Sequence, residues 1–205
     1  EGADRSSSIV KGLRSFSRLD DEKFQLFNIH DGIDSTLILL HNKIKNTITV
    51  HKDYGDLPEI ECLPSKLNQV FMNILSNAID TIEDKGAITI RTSKSNGSIR
   101  VSIKDTGRGI PENIQSRIFE PFFTTKEVGQ GTGLGLSVSY GLIRRYGGDI
   151  TVESRPGEGS DFTVWLRSEP LVLDDTEEVA AQLEAAEAQA QQVTLVAKAA
   201  GPSGP

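Results

Sequence analysis

Apolar residues recur along the chain with two different spacings, and these spacings predict where helices and strands lie. Apolar positions three or four residues apart predict amphipathic helices, whereas alternation of apolar and polar positions predicts strands. The helical spacing covers residues 5–19, 31–43, 64–84, 112–118 and 134–146. The alternating pattern covers residues 47–51, 59–62, 87–93, 98–104, 149–154 and 161–167.

Turn residues between these segments predict how they connect. Pro64 opens the longest predicted helix, at a position where the missing proline N–H costs nothing. Asn96-Gly97 is typical of a two-residue hairpin turn and predicts that the strands on either side pair. The strand at 59–62 is expected to pair with the strand at 47–51. Pairs of strands separated by helices predict the α/β class, as a two-layer sandwich with a mixed sheet preceded by a helix.

The same pattern divides the chain into three parts. Residues 25–168 hold most of the predicted elements and form the expected globular domain. Residues 1–24 contain the leading helix, which is expected to pair with another helix or to cap its own domain. Residues 169–205 form a linker and a tail rich in Ala, Glu and Gln, a composition that favours helix.

Composition excludes several classes of function. The 205 residues carry a formal net charge of −7, so a nucleic-acid partner is not expected. The single cysteine, Cys62, cannot form an intrachain disulfide and is expected to be a buried apolar residue. No signal peptide is visible and no apolar run approaches the roughly 20 residues that span a bilayer. A cytoplasmic location without a membrane segment is therefore expected.

The first stretch with chemical potential is Asn73–Ala78 on the longest predicted helix. Asn73 and Asn77 are four residues apart and share a helical face inside an apolar stripe. A buried amide needs a partner, and an amide oxygen is a suitable ligand for Mg²⁺. A pair of asparagines that only cap or pack is the alternative from this stretch alone.

The second stretch is 101–110, where a predicted strand ends in Asp105-Thr-Gly107-Arg108-Gly109. A carboxylate there can accept a hydrogen bond from an exocyclic amine such as that of adenine, and the glycines allow a flat ligand close to the backbone. Asp-Thr-Gly also occurs in aspartic proteases, which need two such carboxylates. This chain has one copy, with Arg108 in place of a hydroxyl residue, so that function is rejected. A simple turn is the remaining alternative.

The third stretch is 129–136, where four glycines open a predicted helix. Exposed backbone N–H groups and a helix N-terminus favour phosphate. The stretch is neither a P-loop nor a Rossmann fingerprint, because no Gly-Lys-Ser/Thr follows and the glycine spacing differs. Between the second and third stretches lies 119–126, whose aromatic residues beside a glycine loop indicate a hinged lid.

Taken in order, these stretches resemble the catalytic ATP-binding domain of sensor histidine kinases. Four motifs of that family are matched: the N box by 73–78, the G1 box by 105–109, the F box by 119–123 and the G2 box by 131–135. The resemblance covers residues 28–166. It implies the sandwich fold already predicted, with ATP and Mg²⁺ as cofactors.

The resemblance also implies roles for individual residues. Asn77 is expected to ligate Mg²⁺, and Asn73 to lie beside the phosphates, both as catalytic residues. Asp105 is expected to hold the adenine amine, and Thr163 to reach the base through water. Lys126 is expected either to touch the γ-phosphate or to be a solvated lysine. The full set expected to bind the nucleotide is Asn73, Asn77, Asp80, Asp105, Gly107, Gly109, Ile110, Phe122, Lys126, Gly131, Thr132, Gly133, Leu134, Gly135, Leu136 and Thr163.

A difference from the wider superfamily bears on the reaction. In its ATP-hydrolysing members a glutamate four residues before the magnesium asparagine activates water. Asn73 holds that position here and cannot act as a general base. The site is therefore expected to transfer the γ-phosphoryl group by positioning and charge neutralisation. A hydrolase whose base comes from elsewhere, or a pseudokinase that only docks partners, is the alternative.

The partners are also implied by the resemblance. None of His30, His41 and His51 has the surroundings of the family's phosphoacceptor histidine, so all three are expected to be structural. Residues 5–19 resemble the second dimerisation helix. The histidine-bearing helix is expected upstream, and a homodimer and a cognate response regulator are expected for the full-length protein.

The tail has a weaker resemblance of its own. Residues 170–175, with Asp174-Asp175, and the helix predicted after them resemble the opening of a response-regulator receiver domain. No phosphoacceptor strand follows, so no receiver activity is expected. A helix that packs on the kinase domain is an equal alternative.

Overall fold

Strands and helices are interspersed along the part of the chain that the structure describes. This computed structural model describes residues 23–44, 47–126 and 131–168, so the helix predicted at 5–19 and the tail at 169–205 lie outside the described residues. The strands are β1 (Gln25–Phe27), β2 (Ile48–Tyr54), β3 (Ile60–Cys62), β4 (Gly86–Ser95), β5 (Ser98–Asp105), β6 (Asp149–Arg155) and β7 (Gly159–Arg167). The helices are α1 (Ile29–Leu39), α2 (His41–Ile44), α3 (Pro64–Thr81), α4 (Glu112–Gln115) and α5 (Gly135–Arg145).

Five strands form the main sheet in the order β2-β4-β5-β7-β6. β2 and β4 run parallel, and the other neighbours are antiparallel, so the sheet is mixed. α3 contacts β5 and β7 as well as α1 and α5 on either side of it. The predicted two-layer α/β sandwich with a mixed sheet is confirmed.

The core lies between α3 and the sheet. Apolar side chains of α3 recur every three or four residues on one face, as the sequence predicted. They meet alternate inward-facing residues of β4 and β5. The fully or nearly fully buried members of these two surfaces are Leu67, Val70, Phe71, Ile74, Leu75, Ile88, Ile90, Ile99, Val101 and Ile103.

Phe71 is the largest side chain that is completely buried in this core. Phe71→Ala is expected to lower the free energy of unfolding by about 3–5 kcal/mol, because it removes apolar contacts and leaves a cavity. Urea titration followed by circular dichroism measures this change. Gln69→Ala on a half-buried position of the same helix is the control, with a change of about 0.5 kcal/mol or less. A loss below about 1 kcal/mol for Phe71→Ala would mean that the core is elsewhere.

The hairpin between β4 and β5 follows its sequence signal. Asn96 and Gly97 have φ values of 50° and 74°. A type I′ turn requires a positive φ at both of its central residues. Among the residues that the structure describes, no helix is both long and apolar enough to cross a lipid bilayer.

One strand pairing differs from the prediction. β3 pairs antiparallel with β1, a strand that was not predicted, and β2 instead pairs in parallel with β4. β1 and β3 have three residues each, which is too short for alternation to identify them or their partner.

Two helix boundaries also differ. The single helix predicted at 31–43 is two helices, α1 and α2, separated at Leu40. α1 begins earlier than predicted because the Asn28 side chain caps it, accepting hydrogen bonds from the backbone N–H of His30 and Asp31. α3 ends at Thr81, before the predicted 84, where Ile82 turns to an extended conformation.

Candidate functional site

A cavity of about 710 Å³ opens between α3, the loop that follows β5 and the start of α5. This volume lies in the range of small-molecule sites. All three stretches singled out in the sequence contribute to its wall. The predicted residues that line it are Asn73, Asn77, Asp80, Asp105, Gly109, Ile110, Lys126, Gly131, Thr132, Gly133, Gly135 and Leu136.

Asp105 lies at the end of β5 with only 1% of its surface exposed. Its Oδ1 accepts hydrogen bonds from the backbone N–H of Gly107 at 2.7 Å and of Ser160 at 3.3 Å. The hydroxyl of Thr81 lies 3.4 Å from the same oxygen. No hydrogen bond from the described residues reaches Oδ2. The carboxylate is thus oriented through one oxygen, and the other is left for a ligand.

The environment of Asp105 changes its acidity. Burial raises the pKa of this carboxyl above its ordinary value, and the donors Gly107, Ser160 and Thr81 oppose the rise without cancelling it. The hydrogen bonds that the protein supplies therefore do not fully offset the cost of burying the ionised Asp105 carboxylate. A ligand that donates a hydrogen bond to it would supply part of the missing compensation.

Asn73 connects α3 to the start of α5. Its side-chain Nδ2 donates to the carbonyl oxygen of Gly135 at 2.9 Å and to Oγ of Ser139 at 3.0 Å. The Ser139 hydroxyl also donates to the Gly135 carbonyl. These bonds fix the first turn of α5 against α3, so the helix N-terminus is held at the cavity wall.

A second polar cluster surrounds Asp80, which lies about two turns after Asn73 on α3. Lys126 Nζ lies 2.7 Å from Asp80 Oδ2 and 3.5 Å from Asn77 Oδ1, and Lys43 Nζ lies 3.4 Å from Asp80 Oδ1. Partial burial alone would raise the pKa of Asp80, but the two lysines lower it on balance, Lys126 most strongly. The Asn77 amide oxygen therefore lies at a place that already accommodates positive charge.

The position of the Asn77 amide oxygen bears on whether the cavity can hold a magnesium ion. Among the described residues no group of three His, Cys, Asp or Glu side chains could hold a metal ion. A divalent cation at this cavity would therefore depend on the Asn77 oxygen and on oxygens of a bound ligand. Mg²⁺ is commonly bound in this way, through few protein ligands together with phosphate, so the residues present fit it.

The glycine stretch forms a further part of the cavity wall. Gly133 has a φ of 67°, and a Cβ atom there would collide with the backbone of Phe122. Glycine is thus needed both for the backbone conformation and for the close approach. Gly129 and Gln130, which belong to the predicted glycine stretch, lie outside the described residues.

Four of the predicted residues do not line the cavity. Phe122 has a φ of 66° and is 55% exposed, and its neighbour Phe123 lines the cavity instead. Gly107 packs against Thr81 and acts on the site through its hydrogen bond to Asp105. Leu134 is the residue that precedes α5, where its carbonyl accepts the first helical hydrogen bond.

The fourth is Thr163, whose predicted contact with the base is wrong. Successive side chains of a strand point to opposite faces. Ser160 and Phe162 of β7 line the cavity, so Thr163 lies on the other face of the sheet, where Arg100 Nη2 approaches its hydroxyl at 3.4 Å. The alternation counted from Phe162 was the signal that could have identified this.

Ser160 and Lys43 are the most important cavity residues that the sequence did not reveal. Ser160 is 2% exposed, and its backbone N–H reaches Asp105. Lys43 reaches the cavity from α2, where a lysine at a helix end carries no distinguishing local pattern. Strand alternation could have indicated Ser160, but only the tertiary fold places Lys43.

Comparison with known proteins identifies the family. Residues 62–170, slightly more than half of the chain, match the family model of the histidine kinase-, DNA gyrase B- and HSP90-like ATPases. The match includes α3, the Asp105 loop and the glycine stretch.

Curated relatives agree with this match. The chain is 35% identical over 182 residues to the sensor kinase CckA of Brucella abortus (strain 2308), covering 81% of this chain and 19% of that protein. It is 36% identical over 166 residues to the sensor histidine kinase ZraS of Escherichia coli (strain K12), covering 80% of this chain and 35% of that protein. The chain thus spans about a fifth to a third of the length of these relatives.

Solved structures agree as well. The nucleotide-free catalytic domain of the histidine kinase ThkA superposes with a TM-score of 0.66 at 33% identity, covering 72% of this chain and 97% of that one. A structure of ThkA in complex with the response regulator TrrA superposes with a TM-score of 0.61 at 28% identity, covering 82% of this chain and 48% of that one. The chain belongs to the histidine kinase-, DNA gyrase B- and HSP90-like ATPases, and within them it has the catalytic ATP-binding domain of the two-component sensor histidine kinases.

Proposed function

We propose that this domain binds ATP with Mg²⁺ and presents its γ-phosphoryl group to a histidine on a dimerisation helix of the same kinase. The observation that carries the proposal is the convergence of Asp105, Asn77 and the glycine stretch on one cavity. One end offers an oriented carboxylate oxygen for an amine, and the other offers an amide oxygen and a helix N-terminus for phosphates and a cation.

Each wall of the cavity has its own part in binding. Asp105 Oδ2 accepts a hydrogen bond from the exocyclic amine of adenine, while the flat base lies over Gly109 and Ile110. The start of α5, fixed by Asn73, presents backbone N–H groups to the phosphates. Asn77 provides the protein oxygen for Mg²⁺, which when bound neutralises charge on the β- and γ-phosphates.

The cavity favours phosphoryl transfer over hydrolysis. Two carboxylates line it, Asp80 and Asp105. Asp80 is paired with two lysines, and Asp105 is held by three donors where the adenine binds. Asn73 has no basic atom. Among the described lining residues, none is therefore placed to activate water, and the nucleophile must come from an acceptor protein.

The acceptor is a histidine other than those of this chain. All three histidines lie in the described part, and none of them lines the cavity. His30 stacks on Tyr54 with ring centroids 4.2 Å apart, and its Nε2 lies 2.8 Å from the Thr92 hydroxyl, which is a structural arrangement. A cognate response regulator is the partner that the ThkA–TrrA complex supports, and the histidine-bearing dimerisation helices of the same kinase are the other partner of this proposal.

Labelled ATP distinguishes this function from its alternatives. The chain is incubated with Mg²⁺ and γ-³²P-ATP, with and without a histidine-bearing helical fragment of the related kinase ZraS. Tight ATP binding, almost no phosphate release and acid-labile label on the fragment are expected. Fast phosphate release without labelling would indicate a hydrolase. Absence of ATP binding would indicate a non-catalytic docking domain and contradict the proposal.

A further inference from the structure

We propose that Lys43 is a further ATP-binding residue, and that Asp80 positions Lys43 and Lys126 as a two-lysine clamp on the β- and γ-phosphates. The inference rests on the proposed function, since it assigns a phosphate subsite within the same cavity. It adds a residue from α2, which lies outside the region that matches the family model.

The geometry of the cluster is specific. Each lysine uses a different oxygen of the Asp80 carboxylate, Lys43 reaching Oδ1 at 3.4 Å and Lys126 reaching Oδ2 at 2.7 Å. The two lysines are 83 residues apart in sequence, and α3 brings the carboxylate between them. One acidic side chain thus fixes two long, otherwise flexible cationic side chains at the same wall of the cavity.

The position of the cluster indicates what it binds. Lys126 lies 3.5 Å from the Asn77 oxygen, and a Cβ atom added at Gly131 would lie about 3.1 Å from Lys126 Cδ. The ammonium group therefore lies between the amide face of α3 and the glycine stretch, where the phosphates are proposed to bind. Asp105, the proposed partner of the base, contacts neither lysine.

Charge gives the cluster its affinity for phosphate. Two lysines and one carboxylate leave a local net charge of +1 in a chain whose formal net charge is −7. An ammonium group has three N–H donors, and contact with Asp80 uses only part of them. The remaining donors of both lysines are available to phosphate oxygens, while Asp80 limits their movement.

The first test replaces Lys43. Lys43→Ala is expected to weaken ATP binding by about fivefold, the effect of losing one partly exposed ionic contact. AMP, which lacks the β- and γ-phosphates, is expected to bind with unchanged affinity. Isothermal titration calorimetry with ATP, ADP and AMP measures both. The control is Lys52→Ala, which removes another half-exposed lysine paired with an aspartate, Asp34, and should leave all three affinities unchanged.

The second test replaces Asp80, and the direction in which ATP affinity changes is informative. Removing a negative charge near bound phosphates would strengthen ATP binding if charge alone mattered. If Asp80 positions the two lysines, Asp80→Asn weakens ATP binding instead, by about threefold or more. The titration is repeated in EDTA, because an effect of lysine positioning persists without magnesium.

The outcomes separate this inference from the proposed function. Equal loss of ATP and AMP affinity in Lys43→Ala, or no loss, would overturn the clamp while ATP binding by the parent chain stands. Tighter ATP binding by Asp80→Asn, or a loss seen only with Mg²⁺, would overturn the positioning role of Asp80. Failure of the parent chain to bind ATP would overturn both proposals.

Discussion

Asp105→Asn is expected to weaken ATP binding on the order of 100-fold while leaving the fold intact. The Asp105 carboxylate accepts a hydrogen bond from the adenine amine. An asparagine side chain has only one accepting oxygen, and the N–H groups of Gly107 and Ser160 already use the oxygen at that position. The Nδ2 group would then face the adenine amine, so a donor opposes a donor and both lose their partners. Calorimetric titration with ATP measures the loss.

The stability of the same variant follows from the raised pKa of Asp105. When a folded-state pKa lies above the unfolded value, the group's contribution to stability is present at low pH and is lost as pH rises through the folded-state pKa. Once ionised, the Asp105 carboxylate therefore adds no such stability, because its burial is unfavourable. The free energy of unfolding of Asp105→Asn at pH 7 is expected to be within about 1 kcal/mol of the parent value.

Nucleotide choice provides a further readout of this substitution. Guanine carries a carbonyl where adenine carries its amine, so Asp105 repels GTP and an asparagine can donate to it. Asp105→Asn should therefore narrow the difference between ATP and GTP affinity. The control is Asp53→Asn on β2, where an exposed carboxylate pairs with Arg91 away from the cavity. An unfolded Asp105→Asn protein, or unchanged ATP affinity, would show that Asp105 is structural.

Asn77→Ala is expected to reduce phosphoryl transfer by on the order of 1000-fold. The substitution removes the one amide oxygen proposed to hold Mg²⁺, and charge stabilisation by a metal ion contributes several kcal/mol to such a reaction. Rates of transfer to the ZraS fragment are measured across a magnesium titration. The midpoint of that titration is expected to rise as well, which a loss of packing alone would not cause.

Asn77→Asp is the matched control for this prediction. It keeps a hard oxygen ligand in the same position and should restore much of the magnesium dependence that Asn77→Ala loses. Transfer by Asn77→Ala at the parent rate, with the parent magnesium midpoint, would contradict the assignment of Asn77. Equal failure of both variants would mean that the amide nitrogen, and not the oxygen, is the functional atom.

The sequence predicted best those features that depend on local periodicity or local turn chemistry. α3 carries an apolar stripe over five turns, so its existence and buried face were predictable from spacing alone. The hairpin at Asn96-Gly97 followed from residues that tolerate positive φ. The pairing of β3 with β1 was not predictable, because it depends on contacts across more than thirty residues between two very short strands.

The site shows the same division. Asn77 and Asp105 lie in motifs whose order and spacing are informative without tertiary structure. Thr163 was assigned to the wrong face because its motif was matched without counting the alternation of β7. Lys43 could not be found from its neighbours in sequence, since only the packing of α2 beside α3 brings it to Asp80.

The most direct test of the central claim is an NMR titration of the isotopically labelled chain with Mg²⁺ and ATP, followed at individual backbone amides. Binding in the proposed cavity predicts that Gly107, Ser160 and Gly135 shift together with one dissociation constant. The indole N–H of Trp165, which bonds Thr151 on the outer face of the sheet, should not move. Shifts centred on Trp165, or separate saturation of the three amides, would contradict a single ATP site at this cavity.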